Sequence, residues 1–162
     1  MSYKQKFEVL FNYHWHITNQ LMDLAAKLDE SDFFDKPEDD SGSIHEKLLH
    51  NLRADNAWRQ SLIAGSQQRP LSRKEFSNID ELRAGFESEK ISWKEMMDSW
   101  SEDELSESVT LTRSDGTEHN FILWRVLQHL VLHGMQHHAE IAQMLTNFGQ
   151  SPGNLDFIFF SD

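Results

Sequence analysis

Three histidines near the end of the chain recur at every fourth position. His129, His133 and His137 lie within the segment FILWRVLQHLVLHGMQHHAEIAQMLTNF, residues 121–148. This segment carries the longest helical pattern of the sequence, so the three imidazoles are predicted to share one helix face. Apolar residues on the same side place His133 and His137 in the middle of the predicted buried stripe. Imidazoles in an apolar interior need partners for their ring nitrogens, and a metal ion would provide one for each.

The pair His133 and His137 has the spacing of two metal ligands on one helix. One turn apart, both rings can aim a nitrogen at an ion about 2.0–2.1 Å away, as zinc requires. A third ligand must then come from another helix, and we expect it to be His50. Small residues follow His50 along its predicted helix face and would leave room for a cavity: Ala54, Ala57 and Ser61. His14, in the first predicted helix, is the weaker candidate for the same cavity.

The other histidines are expected to have no ligand role. His129 is predicted to support the site, His138 to face solvent or a partner, and His45 to lie on the surface. A plainer interpretation of His50, His133 and His137 also exists, in which all three are core histidines bonded to side chains or water.

Several kinds of active site are excluded or disfavoured. The residue after His133 is Gly134, whereas the zinc-protease motif H-E-x-x-H has a glutamate there as general base. No G-x-S-x-G motif and no glycine-rich phosphate loop occurs. The chain has no cysteine, which excludes thiolate ligands and a cysteine nucleophile and fits a reducing cytoplasm, the expected location.

Composition limits the partners that the protein can have. Its 162 residues match one domain, so residues 1–162 are predicted to form a single unit. The formal net charge of −12 repels phosphate backbones, and we therefore expect no nucleic-acid partner. No signal peptide is predicted, and no apolar run approaches the ~20 residues that span a bilayer, so no membrane partner is expected.

The hydrophobic pattern predicts an all-α four-helix bundle. The expected helices are residues 3–29, 44–64, 79–100 and 121–148. The stretch Asp29–Gly42 is predicted to be a loop that packs Phe33 and Phe34 onto the bundle, with the acidic run 38–40 in solvent. The connections between the first two and the last two helices are long, which permits crossover connections rather than a simple up-and-down path.

Two features surround the last helix. Residues 106–120 alternate in polarity on either side of Asp115-Gly116, which predicts a short β-hairpin before that helix. After it, the apolar tail Leu155–Phe160 is expected to dock on the bundle or on a partner chain.

Three segments resemble the DinB-like family, also called YfiT-like. HLVLHGMQHHAEIAQML is similar to the family's last helix, whose pattern is close to H-x-x-x-H-G-x-x-H-[HR]-x-x-Q/E-I. FNYHWHITNQLMDLAAKL looks like its opening helix and SIHEKLLHNLRADNAW like its second. The resemblance covers nearly the whole chain and implies a bundle with crossover connections and a divalent metal, often zinc or nickel, on three histidines. These fall on His50, His133 and His137; His138 and Glu140 depart from the common Arg and Gln.

The resemblance also carries functional expectations. Some DinB-like proteins are thiol-dependent transferases or isomerases, which implies a small-molecule substrate, a low-molecular-weight thiol and S-transfer at the metal. A homodimer is expected from the apolar tail and the family habit. A hydrolase that uses metal-bound hydroxide and a non-catalytic metal-binding stress protein are the alternatives. Zinc or nickel is the expected ion, with iron and manganese left open.

Overall fold

The computed structural model describes residues 1–37 and 42–161. Within them the helices are α1 (Tyr3–Ala25), α2 (Glu30–Phe33), α3 (Ile44–Ala64), α4 (Ile79–Ser99) and α5 (Leu123–Asn147). Two strands, β1 (Ser108–Thr112) and β2 (Glu118–Ile122), precede α5, and short 3-10 turns occupy Arg73–Glu75, Glu104–Ser106 and Phe157–Phe159. The predicted all-α bundle with a β-hairpin before the last helix is confirmed.

The ends of the long helices follow from local hydrogen bonding. Ser43 and Glu46 form a reciprocal capping box at the start of α3, and Asn78 accepts the Glu81 N–H at the start of α4. Gly65 ends α3 with a φ of 66°, a left-handed conformation that glycine adopts without strain. The first helix ends at Ala25, four residues before the predicted end at 29, because 26–28 form a turn rather than a further helical turn.

The four long helices pack in the cyclic order α1, α5, α3, α4. Lys47 meets Glu140 and Trp58 meets His129, so α3 and α5 are antiparallel. Because of the cyclic order, the long helices α1 and α3, which are separated in sequence only by the short α2, lie diagonally across the bundle. The successive helices α4 and α5 do so as well. The predicted crossover connections are confirmed.

A third connection runs the length of the bundle. Asn56 of α3 bonds to Glu89 of α4, and a Cβ on Gly85 would touch Leu52, so α3 and α4 are parallel. The link 65–78 must therefore return along α3. Arg53 Nε donates to Leu71 O, and His45 Nε2 lies 2.7 Å from Phe76 O nearer the start of the helix.

The hairpin is tied to the end of α3. Its strands pair antiparallel, with Leu111 opposite His119. Gln67 N donates to Thr112 O at 2.8 Å, and Thr112 N donates to Gly65 O at 3.0 Å. These bonds fix the hairpin beside the last turn of α3.

The segment after α1 packs its two phenylalanines onto the bundle, as predicted. Phe33 is buried and Phe34 packs against the same core, although residues 30–33 form the short helix α2 instead of a loop. The acidic run 38–40 lies outside the described residues.

The C-terminal tail docks on one face of the bundle. Tyr13 donates a hydrogen bond to Leu155 O and packs edge-on against Phe157 and Phe160. Ile158 and Phe159 remain 82% and 73% exposed. In the described part of the chain, no helix is both long and apolar enough to cross a membrane.

Candidate metal centre

Three imidazoles from two helices converge at the contact between α3 and α5. One ring nitrogen from each of His50, His133 and His137 lies within 4.8 Å of the others. The antiparallel packing of α3 and α5 brings His50 opposite the pair on α5. The predicted residues are therefore brought together, and we call them the three-histidine cluster.

The cluster has dimensions that suit a small divalent ion. His50 Nε2 and His133 Nε2 are 3.2 Å apart. Two ligand atoms on a tetrahedral zinc ion, each ~2.0–2.1 Å from it, lie about 3.3 Å apart. The ring centroid of His137 is 4.6 Å from each of the other two. The residues present thus fit a three-imidazole site with one coordination position left for a ligand.

The cluster lies at the edge of the buried stripe of α5, not in its middle as predicted. His133 and His137 are half-buried and His50 is exposed. The centre of the stripe is formed by residues that include Leu127, Leu130 and Gly134. Helix α5 packs against both α1 and α3. Its buried side, which includes Gly134, faces α1, and His133 and His137 face the border with α3. The site is therefore open to small molecules.

Glu140 orients one imidazole of the cluster. Its Oε2 lies 2.9 Å from His137 Nδ1 and accepts a hydrogen bond from Lys47 Nζ at 2.8 Å. A proton on Nδ1 leaves Nε2 of His137 as the ligand atom, which fixes both tautomer and ring orientation. The Lys47 bond lowers the pKa of Glu140 against the opposing effect of its burial. The sequence offered a signal for this role, because residues three apart on a helix share a face.

The environment keeps two of the imidazoles neutral. Burial, reinforced by His137 and His50, lowers the pKa of His133 to about 4. Burial and the neighbouring His137 also lower the pKa of His50. Neutral imidazole is the form that binds metals, so these two rings need lose no proton at neutral pH.

His129 lies beside the cluster and outside it. Its ring centroid is 5.7 Å from that of His133 and 5.5 Å from that of Trp58. It is exposed and belongs to no group of convergent ligand atoms in the described residues. The supporting role of His129 stays a prediction.

The prediction for His138 is wrong. Its side chain is fully buried, its Nε2 lies 2.9 Å from Thr18 Oγ1, and its ring stacks on His14 at 5.0 Å. Thr18 donates its own proton to His14 O, so His138 Nε2 is the donor to Thr18. The prediction assumes a buried stripe centred on His133 and His137, whereas the buried residues of α5 include Leu130, Gly134 and His138. Burial lowers its pKa well below the usual value.

His14 belongs to this second group rather than to the cluster. Its Nε2 lies 3.2 Å from Asp55 Oδ2, and both side chains are buried. The four residues His14, Thr18, Asp55 and His138 thus form a polar layer inside the bundle, distinct from the three-histidine cluster.

The prediction of a surface position for His45 is also wrong. It is fully buried, with its ring against Phe33 and Phe34 and its Nε2 near Phe76 O. The returning link 65–78 and the loop after α1 cover the start of α3, and neither contact is visible in the pattern of α3 alone.

The DinB family model matches residues 1–162. The chain belongs to the DinB family. Among curated proteins, none matches this DinB protein in sequence.

Two solved structures from Bacillus subtilis share the fold of this DinB protein. The DinB-like protein YjoA is 15% identical, with a TM-score of 0.62 over 88% of this chain and 93% of its own. YfiT, described as a probable metal-dependent hydrolase with an unusual four-helix bundle topology, is 16% identical, with a TM-score of 0.65 over 91% of this chain and 89% of its own. At these identities, the likeness establishes the fold alone.

Removing the Glu140 carboxylate should weaken metal binding. In Glu140→Ala, His137 loses the acceptor that orients it, and we expect the affinity for zinc to fall about 10–100-fold. Competition with a chromophoric chelator measures this. Gln143→Ala, an exposed position one turn away with its own bond to Asn147, is the matched control and should bind zinc normally. Equal affinities in the two variants would contradict the assignment.

The metal-free protein should lose stability as the pH falls from about 7 to 4. His133 titrates near 4 when folded and near 6.5 when unfolded, so between these values the unfolded chain binds more protons. Its contribution is fully present above the unfolded pKa and is lost as the pH falls toward 4. Urea midpoints measured with a chelator present should show a smaller decline in His133→Asn. A parallel decline in both proteins would refute this account.

Proposed function

We propose that this DinB protein is a metal-dependent enzyme that uses His50, His133 and His137 to hold a divalent ion. The observation that carries the proposal is the convergence of three imidazoles, without a carboxylate, at a half-open surface. Three neutral ligands leave the charge of the ion uncompensated, which favours an anion in the remaining position. Zinc and nickel suit this ligand set, and iron or manganese would compete according to availability.

For the reaction we propose S-transfer from a low-molecular-weight thiol. A bound divalent ion would supply a Lewis acid that stabilises the thiolate form of such a thiol. The protein would contribute the three imidazoles, with Glu140 and Lys47 holding the His137 ring in position. The exposed face of His50 leaves an approach for a small thiol and its electrophilic partner.

Hydrolysis is the second candidate, supported by the description of YfiT as a probable metal-dependent hydrolase. A hydrolase of this kind usually pairs its metal with a general base. The nearest carboxylate described at the cluster, that of Glu140, is already bonded to His137 and Lys47. This engagement favours S-transfer over hydrolysis. A non-catalytic metal-binding stress or interaction protein is the third candidate.

Metal content and a spectroscopic titration test these candidates together. We expect purified protein to hold about one divalent ion per chain by mass spectrometry, and the triple variant His50→Ala, His133→Ala, His137→Ala to hold none. In cobalt-loaded protein, L-cysteine should produce a thiolate-to-metal charge-transfer band. Metal retained by the triple variant would overturn the site. A metal-loaded protein without the band, and without turnover of thiol plus 1-chloro-2,4-dinitrobenzene, would support the hydrolytic or non-catalytic candidate.

We also propose that a second copy of the chain covers the groove between α1 and α5. Exposed Leu132 lines this groove with Leu10 and Phe157, and the exposed Ile158 and Phe159 follow Phe157 in the same 3-10 turn. Several neighbouring exposed apolar side chains of this kind are typical of a protein–protein interface.

If the protein forms this homodimer, its sedimentation coefficient should rise with protein concentration. A single substitution at an exposed residue of the interface should remove this dependence. Ile158→Asp places a charge in the proposed interface and should give a monomer. Ile63→Asp is the control, because Ile63 is 62% exposed at a different surface. Wild-type protein that sediments as a monomer at every concentration would contradict the proposal.

A further inference from the structure

A cavity of about 490 Å³ lies between the end of α3 and the hairpin. We call it the hairpin cavity. It is within the size range of small-molecule sites. Its lining includes Ala57, Trp58, Ser61, Arg113, His119 and Phe121. None of the three metal-site histidines lines it, so it is a separate space from the metal centre.

The cavity lies where small side chains of α3 face the anchored hairpin. Gln67 and Gly65 bond to Thr112 and anchor β1 beside the last turn of α3. Along α3 itself, Ala57 and Ser61 present small side chains to this gap. The sequence predicts that Ala54, Ala57 and Ser61 leave room for a cavity at His50, whereas Ala57 and Ser61 line this separate cavity and Ala54 does not.

One wall of the cavity is aromatic. Trp58 and Phe121 meet edge to face at 5.7 Å and an angle of 81°. Leu111 adds a buried apolar contact. Two rings nearly at right angles allow a planar ligand to stack on the face of one ring and to contact the edge of the other. The geometry suits a planar apolar ligand.

The cavity lining also includes Arg113, an exposed arginine. In the described part of the chain, no carboxylate lies within 4.0 Å of the Arg113 guanidinium. Asp115 also lines the cavity: its Oδ1 accepts the Thr117 N–H, and its pKa is lowered by the Thr117 bonds and, to a smaller extent, by the charge of Arg113 beyond ion-pair distance. A guanidinium binds carboxylates in a two-pronged geometry. Arg113 therefore suits the acidic group of a ligand.

A series of aromatic ring contacts connects the cavity to the three-histidine cluster. Trp58 packs on His129, and His129 packs on His133. Trp58 follows His50 by eight positions on α3, a rise of about 12 Å. A ligand seated against Trp58 would therefore have to extend about 12 Å along α3 to place a reactive group at the cluster.

We propose that the hairpin cavity binds a planar aromatic carboxylate, with its ring on Trp58 and Phe121 and its carboxylate on Arg113. Such a molecule is then the class of substrate whose reactive end extends toward the three-histidine cluster. This substrate role rests on the proposed function. Occupation of the cavity does not, because the cluster forms no part of its lining.

Calorimetric titration with 1-naphthoate and its uncharged analogue 1-naphthamide tests the proposal. We expect 1-naphthoate to bind more tightly, and Arg113→Ala to lower its affinity about fivefold while leaving that of the amide unchanged. Arg69→Ala, an exposed arginine outside the cavity lining, is the matched control and should change neither. Ala57→Leu should weaken both ligands because it fills the cavity.

Three results would overturn the proposal: no binding of 1-naphthoate, equal affinity for acid and amide, or an Ala57→Leu variant that binds both normally. The same titration on metal-free His133→Ala separates this proposal from the metal-dependent function. Unchanged affinity there supports an independent cavity even if the protein proves to hold no metal, whereas lost affinity contradicts a cavity separate from the cluster.

Discussion

The contact between Gly134 and His14 sets the orientation of the helix that carries two of the three clustered histidines. A Cβ at position 134 would lie 2.4 Å from two atoms of the His14 ring, so the ring occupies the space that a side chain would need. This approach holds α5 against α1 with the side of Gly134 and His138 facing inward. Neighbouring residues on a helix point about 100° apart. His133 and His137 are thereby turned to the border with α3.

The polar layer behind that contact restricts how the helices align. His14 pairs with Asp55 of α3, and His138 donates to Thr18 of α1, so three helices are linked by hydrogen bonds inside the core. Buried polar groups are costly when their partners shift, which penalises any sliding of one helix past another. The three-histidine cluster spans two of these helices. Its geometry thus depends on polar contacts in the core as well as on apolar packing.

The sequence predicts the bundle well because its signals are local. The capping box of Ser43 and Glu46, the Asp115-Gly116 turn and the i, i+4 pair His133 and His137 each lie within a few residues. The mistakes concern tertiary contacts. His138 and His45 are predicted to lie outside the core but are buried, because the segments that bury them, α1 and the link 65–78, are distant in sequence. Glu89 was likewise missed as a buried residue, since its partners Arg59 and Asn56 are on α3.

The half-buried position of the cluster has a chemical consequence. At the centre of the stripe, where His138 lies, an ion would be enclosed by core side chains and would have no route for a reactant. At the border of α3 and α5, burial is enough to lower the pKa of His133 and keep it neutral, yet His50 remains exposed. The surrounding protein carries a net charge of −12, which opposes the approach of anions from solution. Capture of an anionic reactant at the three-histidine cluster would therefore have to come from local groups, namely an ion held by the three imidazoles and the nearby cationic side chains of Arg53 and Lys47.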